Sequence, residues 1–147
     1  MHMELTKSFI LLEDELAYIL DRLGLAQPAP FDPVAAEARL LEKRILRREG
    51  GHIALEPAVR LLAETVATAE RVVSCGGQTL YCGKRLAVLL EPYPLCARAR
   101  RLTPYPSPRE ALRALSGQAE IREGDRRQTV PLAALEAWLE AHQWISS

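Results

Sequence analysis

Two prolines and a glycine pair divide the stretch from Phe31 to Ser74 into pieces that leave few folds open. It reads FDPVAAEARLLEKRILRREGGHIALEPAVRLLAETVATAERVVS. Asp32 is a good helix N-cap, because its carboxylate can accept from the free amides of the first turn. Pro33 follows at the first helical position, where a missing N–H does no harm. The helix is expected to present Val34, Ala38, Leu41 and Ile45 to the core. Leu46-Arg47-Arg48 and His52-Ile53-Ala54-Leu55 pair around Glu49-Gly50-Gly51, whose glycines supply the positive φ of a hairpin tip. Pro57 opens a second helix with Val59, Leu61, Leu62 and Val66 on its apolar face. Arg71 to Cys75 then reads as a strand. Helix, hairpin, helix and strand suggest a winged-helix-like unit feeding into a β-sheet.

The flanks extend this pattern. Ser8 to Leu12 is read as a short apolar strand in preference to the alternative, one helix from Thr6 onward with Phe9 and Leu12 extending its stripe. Glu13, Asp14 and Glu15 make an acidic first helical turn, which the helix dipole favours. Leu16, Ile19, Leu20 and Leu23 follow at helical spacing, and Gly24 ends the helix. AQPAPFDP is a loop stiffened by its prolines. Beyond Cys75, Thr79 to Cys82 and Arg85 to Leu90 are two more strands, joined across Gly76-Gly77 and Gly83-Lys84 into an antiparallel meander. Tyr93 and Pro94 make a corner. Leu95 to Thr103 is a fourth strand, with Ala97 and Ala99 on one face and Arg98 and Arg100 on the other. Thr103 to Pro108 reads as a proline-rich turn, and Ser107 caps a helix from Pro108 to near Gly117. Ala119 to Val130 is a hairpin around Glu123-Gly124-Asp125, and Pro131 to near His142 is a closing helix with Leu132, Leu135, Trp138 and Leu139 on one stripe. The expected class is α+β: a winged-helix-like part over residues 1–68, leading into an antiparallel β-sheet flanked by helices over residues 69–147, in one domain.

Function is less constrained. The 147 residues suffice for one core, and the formal net charge is +0, which argues against a nucleic-acid binder held by bulk electrostatics. The charge is polarised along the chain. Lys84, Arg85, Arg98, Arg100, Arg101, Arg109, Arg113, Arg122, Arg126 and Arg127 face only Glu91, Glu110, Glu120, Glu123 and Asp125 over the same span, whereas Glu4, Glu13, Asp14, Glu15 and Asp21 outnumber Lys7 and Arg22 at the start. The opening MHMELTKSFILLEDEL has no basic region ahead of an apolar run, and no apolar stretch reaches the ~20 residues that span a bilayer, so a cytoplasmic, non-membrane protein is expected. Cys75, Cys82 and Cys96 form no CxxC pair and no zinc spacing, and are read as small buried hydrophobes. His2, His52 and His142 are far apart and match no metal pattern. No phosphate-cradle glycine motif and no catalytic constellation is found, so no cofactor and no metal is expected and the chain is read as a non-enzyme.

A winged helix raises the question of DNA. The helix ahead of the hairpin would read bases, yet it carries Glu37 and Glu42 beside Arg39, Lys43 and Arg44, and it has no Asn, Gln, Ser or Thr to meet base edges. Across residues 32–60, Arg39, Lys43, Arg44, Arg47, Arg48 and Arg60 are nearly balanced by Asp32, Glu37, Glu42, Glu49 and Glu56. Nucleic acid is therefore the second choice, with Lys43, Arg44, Arg47 and Arg48 as its contacts. Arg98, Arg100 and Arg101 are the densest basic group. They suit protection of a sheet edge or contact with an acidic protein partner.

Leu23-Gly24 after the first helix, Leu55, Pro57, Leu61 and Leu62 in the second helical unit, and Ala69, Glu70, Arg71 and Val72 at the junction with the sheet form a succession that resembles the EspG-type chaperones of type VII (ESX) secretion, over roughly the first half of the chain. EspG-type proteins are longer and built as a pseudo-two-fold pair of halves. This chain resembles one half-length unit. The resemblance implies a cytoplasmic, cofactor-free chaperone or adaptor that binds secretion substrates or machinery, and a homodimer that restores the missing half.

Overall fold

A computed structural model of the chain describes residues 7–25 and 30–145. Residues 26–29 of the expected proline loop, and His2 and Glu4, lie outside them. The described chain runs β1 (Phe9–Leu12), α1 (Glu13–Arg22), α2 (Pro33–Glu42), β2 (Leu46–Glu49), β3 (His52–Leu55), α3 (Pro57–Thr68), β4 (Arg71–Cys75), β5 (Gln78–Cys82), β6 (Ala87–Tyr93), β7 (Cys96–Tyr105), α4 (Pro108–Ala111) with a 3-10 turn over Leu112–Ala114, β8 (Ala119–Glu123), β9 (Arg126–Val130) and α5 (Leu132–Ala141). The fold is α+β. Seven strands form one antiparallel sheet in the order β1-β7-β6-β5-β4-β8-β9, and β2 and β3 form a separate hairpin. The expected meander is its centre.

Local chemistry sets most boundaries. The Asp32 carboxylate accepts from the Val34 amide at 3.0 Å and the Ala35 amide at 3.3 Å, which starts α2. Gly50 and Gly51 sit at φ 52° and 83° in the hairpin tip, where an L side chain would be strained. The helix α1 ends on Gly24 at φ 74°, with the Gly24 amide bonded to Asp21 and the Leu25 amide to Leu20. The same paired closure ends α2, but there a non-glycine residue, Arg44, takes the left-handed conformation at φ 64°.

Three local expectations differ from the structure. The inward face of α2 is Ala36 and Leu40, while Val34 is 79% exposed and Ala38 is exposed; Ile45 is buried, but beyond the left-handed turn at Arg44 and not on the helix. Ala36 lets α2 approach α1 closely, which rotates the face away from the larger Val34. The strand β7 continues to Tyr105 through the expected proline turn. Its pairing with β1 stops at Phe9↔Leu102, so Pro104 lies past the end of that neighbour, where a missing donor breaks no ladder bond on that side. The helix from Pro108 is one turn of α-helix and one of 3-10, ending before Leu115.

Residues paired across antiparallel strands share a face. Leu11, Val88 and Leu102 therefore line one face, and α1, α2, α3 and the hairpin close a core over it with Ile19, Leu40, Val59 and Leu62. Val73, Leu80, Leu89 and Ile121 line the other face, under α4, α5, Leu115 and Trp144. The two helical layers are offset. The first sits at the β1-β7-β6 end, and the second centres on β4, β5, β6, β8 and β9. On the face that α4 and α5 cover, Ile10, Leu12 and Ala99, near the β1 edge, join neither core.

Candidate interaction surface

The structure does not bring Arg98, Arg100 and Arg101 together. Alternation on β7 separates them, and a register slip between Pro92 and Tyr93 separates them further. Pro92 pairs with Arg100, whereas Tyr93 pairs with Cys96, so Ala97, Arg98 and Ala99 have no partner residue on β6; Ala99 is held by Leu12 on β1, and Ala97 and Arg98 bulge out. Nor is β7 an edge strand, since β1 pairs with it from Ala99 to Leu102.

Each arginine has its own task. The Arg100 guanidinium donates to the Ala97 and Ala99 carbonyls, both at 3.1 Å, and to the Glu13 carboxylate at 2.6 Å. It stitches the bulge and ties it to the start of α1. Arg101 lies on the opposite face with its guanidinium 5.9 Å from the Tyr93 ring centroid, a cation–π contact. Arg98 sits on the bulge, exposed, with no ion pair among the described residues. Beside it Leu95 is 83% exposed at the turn between β6 and β7, and Cys96 and Ala97 are exposed too. Cys96 was expected to be buried; the slip places it at the tip. The result is a protruding tip with an aliphatic anchor, one free cation, and a backbone held by Arg100.

The second group lies around the hairpin. Lys43 ends α2 and is bound to Glu15 at 2.5 Å, and Arg47 on β2 reaches Glu56 at 3.4 Å. Arg44 and Arg48 are exposed with no ion pair among the described residues, and Arg47 and Arg48 point to opposite faces of the ribbon. The hairpin thus offers two unengaged cations, not four.

Sequence reasoning missed Glu15. Its side chain is fully buried between α1 and α2, where it accepts from the Leu12 amide at 2.9 Å, Arg39 Nε at 3.1 Å and Lys43 Nζ at 2.5 Å. Asp14 binds the same Arg39. The Tyr18 hydroxyl donates to Glu37 at 2.6 Å; burial, then the carboxylate, pushes its pKa up. These contacts explain the acidic turn as an ion-pair seam as well as a dipole effect. Leu95 was equally hidden, because a leucine between Pro94 and Cys96 gives no sign of exposure.

Elsewhere, a cleft of about 580 Å³ opens between Lys84 and Arg85, the Pro106-Ser107-Pro108 corner, and Glu140, Gln143 and Trp144 past the end of α5. Arg109 occupies the Glu140 carboxylate at 2.9 Å. Burial pushes the Cys75 thiol up, and the Cys82 thiol up to about 12, so neither is a ready nucleophile. Among the described residues no cluster of three His, Cys, Asp or Glu side chains is placed to hold a metal ion, and no helix is long and apolar enough to cross a membrane. No protein-family model matches the chain, and no curated protein matches it.

Proposed function

We propose that this chain is a non-enzymatic protein-interaction domain of the cytoplasm, acting as a secretion-associated chaperone or adaptor, and that it engages its protein partner through the β6–β7 tip. One observation carries the interaction role: Leu95 stands 83% exposed on a tip whose bulge carbonyls are held by Arg100, with unengaged Arg98 beside it. An exposed aliphatic side chain on a preorganised backbone loses little entropy on docking, and a neighbouring cation selects an acidic surface. The secretion role rests on the resemblance carried by the first half of the sequence.

The test is affinity capture from the source cytoplasm with the wild-type chain and with Leu95→Asp plus Arg98→Glu, both shown to melt at the same temperature. A partner retained by the wild type and lost by the variant is expected. Identical captured sets would remove the tip from the interaction. DNA retention on a filter that weakens with salt and disappears in Arg44→Ala plus Arg48→Ala would replace this function with a winged-helix regulator.

A further inference from the structure

We infer that β1 is a self-pairing edge: two copies of this chain join antiparallel through Phe9–Leu12 about a two-fold axis at Ile10, making one continuous sheet. The inference rests on the proposed protein-interaction role of this end of the sheet and names a partner for it, a second copy.

The two edges of the sheet differ. At one edge, β9 exposes Arg126, Arg127, Gln128 and Thr129, a polar and charged strand of the kind that resists strand addition. At the other, β1 is Phe-Ile-Leu-Leu, with no charge and no proline, and with an uninterrupted register on β7. No strand among the described residues pairs with its outer side. Ile10 is 39% exposed and joins neither core. An uncharged, apolar, unbulged edge of this kind is a template for another strand.

The sequence around β1 selects the register. An antiparallel pair of identical strands has its two-fold axis perpendicular to the sheet, so paired residues share a face and differ by an even number. Centred on Ile10, the pairing sets Ile10 against its own copy and Phe9 against Leu11, and brings Lys7 toward Glu13, the first residue of α1, whose carboxylate also holds Arg100. The exposed isoleucine is then buried, and no like charges meet at the ends of the pairing. Centred on Leu11, the pairing would set Phe9 against Glu13 and Ser8 against Asp14. Centred on Phe9, it would set Lys7 against Leu11. Of the three, only the Ile10 register, which also sets Ser8 against Leu12, opposes no charged side chain to an apolar one.

Sedimentation velocity from ~1 to ~100 µM tests this, the range in which a modest interface is resolved. The wild type is expected to shift toward twice the 16.4 kDa chain mass as concentration rises. Ile10→Lys sets two like charges against each other on the axis and should weaken association at least ~10-fold, while melting like the wild type at a concentration low enough that both are monomeric. In a Cys96→Ala background, Ile10→Cys should give a covalent dimer on mild oxidation, reversed by reductant, because directly opposed residues lie ~4.5–5.5 Å apart, within disulfide reach. A folded wild type that stays monomeric across the range, or an Ile10→Lys chain that dimerises as before, overturns the inference. If the monomer still captures a partner lost with Leu95→Asp plus Arg98→Glu, the proposed function stands and only self-pairing fails.

Discussion

Burial separates three thiols that look alike in the sequence. Cys75 and Cys82 face the core under α4 and α5, and Cys96 is exposed at the β6–β7 tip. With the Cys82 thiol held up at about 12, a thiol reagent at pH 8 should label Cys96 rapidly and leave the other two intact until the chain unfolds. Counting modified thiols with and without denaturant checks this, and fast native labelling of all three would contradict the packing. The same shift has a pH consequence. The unfolded thiol ionises near its ordinary value of 9.0 and the folded one only near 12, so below the first value the group does not oppose folding, and between the two stability falls as the pH rises. The fate of Cys96 was not legible because it depends on a register slip between two strands, and no residue in Pro94-Leu95-Cys96-Ala97-Arg98 signals a bulge by itself.

At the scale of elements, what is written in neighbouring residues was legible. Asp32-Pro33 fixed one helix start, Pro57 another, and Gly50-Gly51 and Gly124-Asp125 marked hairpin tips, because each acts through backbone groups only a few residues away. What depends on docking was not. Glu13, Asp14 and Glu15 are equivalent on paper, yet only Glu15 is fully buried between α1 and α2, where Arg39 and Lys43 meet it. Glu15→Gln keeps the shape and an acceptor for the Leu12 amide but removes the charge that Arg39 and Lys43 share. Both cations are partly exposed, with side chains 36% and 38% accessible, so water recovers some of the loss. The expected cost is about 2 kcal/mol, typical of a hydrogen-bonded charge lost from a buried site. It would be measured as a lower urea midpoint with an unchanged slope; an unmoved midpoint would show that the seam adds nothing to stability.

Across the whole molecule, the meander β4 to β7 was legible from turn signals, but the outer strands were not. That β1 joins β7, 87 residues away at Leu12↔Ala99, and that β8 joins β4, are long-range pairings with no local marker. They decide that one sheet carries two cores on opposite faces. The strand β6 feeds both, with Val88 in one and Ala87 and Leu89 in the other, so the two layers share a backbone that cannot be lost from one alone. Cooperative unfolding of both layers follows. Leu40→Ala tests it from a distance: Leu40 is fully buried on α2 in the first core, while both tryptophans, Trp138 and Trp144, pack in or against the second. The substitution should cost about 2–4 kcal/mol from lost transfer energy and the cavity left behind. Tryptophan fluorescence should report the same lowered midpoint as far-ultraviolet circular dichroism, although no indole lies in the damaged core. A fluorescence midpoint that stays at the wild-type value while the dichroism transition moves would mean that the second core holds without the first, and that β6 does not couple them.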